Sequence, residues 1–144
     1  MEDRVSEQLL RSGWFPGRHI DLENEVAVLD AEGYELADGL LVFLAEYSGL
    51  VVRADDATQS VWIDAARSAS EVDAQWNRAY SAMIRSALAP VGGYSHMTIY
   101  LSEAGEFYGG FDYEYGRLGS NFRELIDVLL NEDPPATMLD RVLE

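Results

Sequence analysis

Residues 97–111, MTIYLSEAGEFYGGF, carry the clearest structural signal in the sequence. Apolar side chains alternate with other side chains over 97–101, which is the two-residue period of a β-strand. The turn-forming residues 102–105 come next, and a second strand is predicted over 107–111. This stretch therefore predicts an antiparallel hairpin, and the other elements have to be placed around it.

Three short helices are predicted in the first third of the chain, because apolar residues recur there at spacings of three and four. They end near Gly13, Gly33 and Gly49, and glycine is the residue most often found just after a helix. Two short strands are predicted next, at 50–52 and 61–63, where β-branched residues lie on either side of a polar loop. The middle of the chain thus contains a second predicted strand pair.

A long helix over 70–88 is predicted by the same helical spacing, and Pro90 is expected to end it. A last helix is predicted over 122–130, with a further helical turn in 136–144. The order is three helices, two strands, a helix, two strands and a helix. It predicts an α+β domain with a mainly antiparallel sheet of about four to six strands packed with helices.

One domain over 1–144 is the expectation for 144 residues, of which 48% are hydrophobic. The absence of cysteine excludes disulfides, cysteine-type zinc sites and thiol nucleophiles. The N-terminus is charged, and no run approaches the roughly 18 apolar residues that a membrane span needs. We therefore expect a cytoplasmic protein without a membrane partner.

The charge is strongly acidic: 26 acidic residues against 10 basic ones, all arginine, give a formal net charge of -16. Residues 20–60 hold ten acids and one arginine, a net -9, and residues 101–144 hold ten acids and three arginines, a net -7. Binding to nucleic acid is disfavoured, because it needs clustered basic side chains. Two such blocks are typical either of a face that attracts a basic partner or of a surface that keeps the protein in solution.

No catalytic, cofactor or metal site is predicted. His19, Asp21 and Glu23 have a ligand-like spacing, but no helical HExxH and no cysteine supports them. The glycines form neither a G-x-G-x-x-G nor a Walker loop, and no G-x-S-x-G elbow holds a nucleophilic serine.

Two carboxylate pairs have a spacing that acid–base chemistry of the glycosidase type can use, namely Glu103 with Glu106 and Asp112 with Glu114. Among 26 acids such pairs arise by chance. We expect a protein that is not an enzyme, with a carboxylate-dependent hydrolase as the alternative.

The first of two distinctive segments is GWFPGR, residues 13–18. Its glycines and proline predict a turn, and Trp14 and Phe15 are expected to pin that turn to the core. Arg18 is expected to pair with a nearby carboxylate. The residues assigned to this structural motif are Gly13, Trp14, Pro16, Gly17 and Arg18.

The second distinctive segment is FYGGFDYEY, residues 107–115, which combines five aromatic residues with two acids. Alternate rings of a strand face the core, and the other set lies near solvent. Tyrosine beside Asp or Glu suits contact with a basic protein. The alternative is that these rings form the core and the strand edge.

The segment GWFPGR resembles the GWxPGR signature of the SUKH superfamily of bacterial immunity proteins, specifically its third subgroup. FLAEYSGL at 43–50, PVG at 90–92, IYL at 99–101 and GEFYGGFD at 105–112 are similar to further family patterns. The resemblance covers about residues 5–130. Ala104 departs from it, because an acidic residue is more usual before that glycine, and this affects only the turn.

The resemblance implies a non-enzymatic α+β domain, SUKH-like over 1–144, that protects its producer by binding a toxin encoded beside it. A nuclease toxin would present a basic cleft, to which an acidic protein is steered. An intracellular scaffold or regulatory adaptor is the alternative implied by the same superfamily. No cofactor is expected. The predicted partner-binding residues are Tyr108, Asp112, Tyr113, Glu114 and Tyr115, with Asp55 and Asp56 from the other acidic block.

Overall fold

The computed structural model describes residues 4–56, 58–71, 78–79, 81–82, 84–95, 97–111, 114–131 and 140–141. At residues 111, 114–115 and 140–141 the description covers the backbone alone.

Three helices form the N-terminal part, as predicted: α1 (Arg4–Arg11), α2 (Glu23–Ala31) and α3 (Asp38–Tyr47). Gly13 and Gly33 follow the first two helices with φ angles of 104° and 84°. Glycine adopts this left-handed conformation without the steric penalty that a Cβ atom brings. The glycine signal therefore placed these helix ends correctly.

The strands form one sheet in which every strand pairs with its neighbour in the chain, always antiparallel. The strands are β1 (Val51–Arg53), β2 (Ser60–Ile63), β3 (Leu88–Tyr94), β4 (Met97–Ser102), β5 (Phe107–Phe111), β6 (Glu114–Gly119) and β7 (Asp140–Arg141). The predicted α+β class with an antiparallel sheet is confirmed. Within the described residues, six strands have three or more residues, and the seventh has two.

The hairpin predicted from alternation is the pair β4 and β5. Tyr100 lies opposite Tyr108, and Thr98 lies opposite Gly110. The chain reverses at Gly105, which has a φ angle of 88°. The second predicted pair, β1 and β2, is also present, with Val52 opposite Val61.

The predicted helix over 70–88 is wrong at both ends. Helix α4 spans Ala65–Glu71, and the backbone is helical again at 78–79, 81–82 and 84, but Leu88–Tyr94 is the strand β3. Every residue of β3 is buried, so the run has no polar face to present to solvent as a surface helix would. Residues 72–77, which held part of the predicted apolar stripe, lie outside the described residues.

Pro90 lies inside β3 and does not end a helix. It is opposite Tyr100, and the register shifts between Pro90 and Gly92, a bulge of the kind that admits proline in a sheet. A Cβ atom at Gly92 or Gly93 would overlap Trp62 of β2. The two glycines therefore allow β2 and β3 to approach closely.

The C-terminal part adds two strands that the sequence did not predict. β6 pairs with β5, and β7 pairs with β6 through Glu114 and Tyr115. A helical turn was expected in 136–144, but 140–141 is extended, and the rest of that segment lies outside the described residues. The predicted last helix is present as α5 (Phe122–Ile126), which continues as a π-helix over Asp127–Asn131.

Four aromatic rings fix α3 on the sheet. Phe43 and Tyr47 of α3 meet Phe107 of β5 and Phe122 of α5. The ring centroids of Tyr47 and Phe122 lie 4.4 Å apart, and those of Phe43 and Phe107 lie 5.1 Å apart. This cluster packs one face of α3 against the sheet, so the opposite, outer face of the helix is turned toward solvent. Within the described residues, no helix is long and apolar enough to cross a membrane.

Candidate partner-binding surfaces

The sheet brings Asp55 and Asp56 to the same end as the strand ends next to Asp112 and Tyr113, whereas Tyr108, at the start of β5, lies toward the other end. In a sequential antiparallel sheet the connections alternate between the two ends, so the β1–β2, β3–β4 and β5–β6 connections share one end. Asp55 and Asp56 lie in the first of these, and the strands flanking Asp112 and Tyr113 end at the third. We call the β1–β2 connection and the adjoining ends of β5 and β6 the sheet-end turns. They are separated by four strand spacings, roughly 19 Å.

Asp55 is exposed and is bound by two arginines. Arg4 Nε donates to its carboxylate at 2.8 Å and Arg11 Nη2 at 2.6 Å. Gln8 Nε2 adds a third hydrogen bond at 3.3 Å. These arginine hydrogen bonds lower the pKa of the Asp55 carboxyl below its ordinary value. The charge of Asp55 is thus balanced by α1, which it anchors to the β1–β2 turn.

Asp56 closes its own turn. Its carboxylate accepts a hydrogen bond from the Thr58 backbone N–H at 3.0 Å and one from the Thr58 hydroxyl at 2.7 Å. These bonds lower the pKa of the Asp56 carboxyl. The carboxylate remains exposed and forms no ion pair among the described residues.

Tyr108 is buried, with 9% of its surface exposed. Its hydroxyl donates to Glu106 at 3.3 Å, and Glu106 also accepts a hydrogen bond from Arg117 at 2.8 Å. The structure therefore places Tyr108 as a support of the sheet and not as a surface ring. Glu114 and Tyr115 are paired in β6 opposite Phe111 and Gly110. Asp112 and Tyr113 lie outside the described residues.

Arg18 of the N-terminal turn binds the end of α3. Its Nη1 donates to the Glu46 carbonyl at 2.6 Å, and its Nη2 donates to the Ser48 carbonyl at 2.8 Å. The prediction that Arg18 pairs with a carboxylate is wrong. The last carbonyls of a helix have no partner within the helix and carry partial negative charge, so a guanidinium satisfies them.

Trp14 holds the N-terminal turn against α3, as predicted, whereas Phe15 does not. The Trp14 indole N–H donates to the Glu46 carboxylate at 2.9 Å, and its ring stacks on Tyr47 at a centroid distance of 6.5 Å. Phe15 is 55% exposed, so its expected place in the core is wrong. Gly13, with its positive φ, turns the chain so that only the first of the two rings reaches α3.

Burial raises the pKa of Tyr47 to about 12, and the negative charge of Glu46 adds to the shift. The turn thus places a neutral phenol, an indole and a carboxylate side by side at the end of α3. All three groups are partly buried.

A groove of about 590 Å³ lies between residues 17–22 and the outer face of α3; we call it the α3 groove. The Ile20 backbone N–H donates to the Ala45 carbonyl at 2.9 Å and joins its two walls. Val42, on the α3 wall, is 68% exposed. The sequence did not reveal this surface, because its walls come from separate segments. One signal was available: Val42 is apolar yet lies off the face of α3 that Leu40, Phe43 and Leu44 bury.

The chain around this groove has no Lys or Arg from position 19 to position 52, and His19 is its one histidine. Ion pairs among the described residues use Asp55, Glu71 and Glu106, and none of the acids between 21 and 46 takes part. Six of those acids are exposed: Asp21, Glu23, Asp30, Glu32, Glu35 and Asp38. Among the described residues, no three His, Asp or Glu side chains converge as a metal site requires.

A model of the family described as SUKH-3 immunity protein matches residues 1–132. This chain belongs to the SUKH-3 immunity protein family. The resemblance seen in the GWFPGR turn and its companion motifs is confirmed, including the subgroup. No curated protein and no solved structure gives a match.

Membership gives the SUKH-3 protein a function in toxin immunity and implies a cognate toxin as its partner. Immunity families of this kind are generally not enzymatic. The matched region contains the N-terminal turn, the α3 groove and both sheet-end turns. Each of these surfaces is therefore part of the family domain.

Proposed function

We propose that this SUKH-3 protein neutralises its toxin by binding it directly, one molecule to one, in the cytoplasm of the producing cell. The toxin domain is basic, and a nuclease with a phosphate-binding cleft is the class that fits. The protein itself carries out no reaction on the toxin.

The observation that carries this proposal is the uncompensated acidic surface of a protein from an immunity family. The net charge is -16, and the exposed acids of residues 21–38 form no ion pair among the described residues. Like charges so close together repel each other, and a basic partner relieves that repulsion. Opposite charge also speeds encounter by 10- to 1,000-fold, roughly, which suits a protein that must intercept a toxin before it acts.

Co-expression with the toxin domain encoded beside the gene tests the function. We expect the toxin alone to arrest growth and this protein to restore it. A purified, catalytically inactive toxin domain should form a 1:1 complex, measured by light scattering after gel filtration. The complex should weaken as salt rises, because screening reduces attraction between charged surfaces.

Two results would contradict the proposal. Growth rescue without any complex would point to a chemical action on the toxin. No rescue, together with several unrelated partners in a pull-down, would favour the scaffold or adaptor alternative.

A further inference from the structure

The α3 groove is lined mainly by apolar side chains on both of its walls. Ile20 and Leu22 lie on one wall, and Leu41, Val42 and Ala45 lie on the other. Val42 is the most exposed of the three large hydrophobic residues that stand exposed among the described residues, at 68%. An exposed apolar residue in an apolar, concave lining is typical of a binding surface.

The groove is held open before any partner arrives. The backbone hydrogen bond between Ile20 and Ala45 joins the two walls. Arg18, at the start of the 17–22 wall, is fixed by its hydrogen bonds to the carbonyls of Glu46 and Ser48. A surface that is already ordered loses little conformational entropy on binding. Binding therefore does not carry the free-energy cost of ordering the groove.

Carboxylates surround Val42. Asp38 and Glu46 lie four residues before and after it on α3, which places them on the same helix face. Asp21 lines the opposite wall and is exposed. Arg18 and His19 are the basic residues of the lining, and the Arg18 guanidinium is occupied by backbone carbonyls.

We propose that the α3 groove is the surface that receives the toxin, and that its occupant is a toxin segment carrying an apolar side chain flanked by Arg or Lys. The apolar side chain contacts Val42, and the basic ones face Asp21 and Asp38. This inference rests on the proposed function and adds the site to it.

The sheet-end turns are the competing surface, and their charges favour them less. Asp55 is already paired with Arg4 and Arg11, so a partner's cation would have to displace two arginines. With two arginines on Asp55, Asp56 is the acid of the β1–β2 turn that forms no ion pair among the described residues, so this turn offers a third cation little net negative charge. The groove acids need no such displacement.

The apolar part of the proposal is tested by Val42→Gln, with Leu10→Gln as the matched control. Both residues are exposed leucine or valine side chains on helices, at 68% and 46%, and Leu10 does not line the groove. Glutamine removes the apolar contact without adding charge. We expect binding to the inactive toxin domain to weaken about tenfold or more for Val42→Gln, as for a central contact residue, and to stay within about twofold for Leu10→Gln.

The charge part is tested by a second matched pair, Asp21→Asn and Asp56→Asn. Each aspartate is exposed and accepts a hydrogen bond from the backbone N–H two residues later, at 3.1 Å for Asp21 and 3.0 Å for Asp56. Asparagine keeps that acceptor, so each change removes one charge and little else. We expect association at low salt to slow about threefold for Asp21→Asn and to stay unchanged for Asp56→Asn.

The outcomes separate the site from the function. If the unaltered protein forms no complex, the proposed function fails. If it binds and all four variants bind alike, or if Asp56→Asn is the slower one, the α3 groove is not the site and the function stands. Melting temperatures within a few degrees of the unaltered protein show that each variant is folded.

Discussion

The α3 groove and the β1–β2 sheet-end turn are both acidic, yet they differ in what surrounds the carboxylates. In the turn, Asp55 is bound by Arg4 and Arg11. In the groove, the one lining arginine binds backbone carbonyls, and the carboxylates stay without ion pairs among the described residues. Net charge along the sequence therefore does not show which carboxylates are already paired; their contacts in the fold do.

The largest difference is expected between two arginines. Arg18→Met should lower the free energy of unfolding by about 3 kcal/mol, because two partly buried carbonyls lose charged hydrogen bonds. Arg11→Met, the matched change at the sheet end, should cost much less, since its ion pair with Asp55 is about half exposed. Urea unfolding measures both. Equal losses would show that the two regions do not differ in this way.

A smaller difference is expected inside the N-terminal turn. Trp14→Ala should cost about 2 kcal/mol, below the range for a fully buried tryptophan because the ring is only half-buried. Phe15→Ala should leave the unfolding midpoint nearly unchanged, since Phe15 is 55% exposed. A Phe15→Ala variant as unstable as Trp14→Ala would refute the placement of the two rings.

The two regions should also respond at opposite ends of the pH scale. The pKa of Tyr47 is raised to about 12, so its contribution to stability is complete below pH 10 and is lost as pH rises toward 12. Tyr47→Phe should therefore lose less stability between pH 10 and 12 than the unaltered protein. Thermal melts of both proteins across that range measure the effect.

Asp55 should produce the acid response. Its pKa is lowered from 3.8, so its contribution is complete above that pH and is lost as pH falls below it. Asp55→Asn should flatten the acid side of the stability profile, measured by thermal melts as pH falls below 3.8. This is the smallest of the expected effects, because Asp55 is exposed and solvent screens its pairs.

The sequence predicted the strands that carry a recognisable residue pattern within their own few residues. The hairpin of β4 and β5 followed from alternation, and β1 with β2 followed from β-branched runs. β3 was missed because its run contains a proline and two glycines, residues that strands seldom carry, and because its place between β2 and β4 depends on a bulge and a close approach. β6 was missed because EYGRLG at 114–119 has no regular alternation.

The candidate site was harder to predict for a related reason. The GWFPGR segment predicted the turn, but the sequence does not show whether Arg18 binds a carboxylate or the end of a helix. Only the fold brings the Arg18 guanidinium within 2.6–2.8 Å of the carbonyls at the end of α3. The groove needs 17–22 and α3 side by side, a contact that no local pattern encodes. Aromatic and acidic composition pointed instead to 107–115, where Tyr108 proved to be buried.

Hydrogen exchange of the free and toxin-bound protein tests the central claim, that the toxin occupies the α3 groove, most directly. We expect binding to slow amide exchange in peptides covering 15–24 and 38–47 and to leave 53–60 unchanged. Slower exchange confined to the sheet-end turns, with the groove peptides unaffected, would contradict the claim.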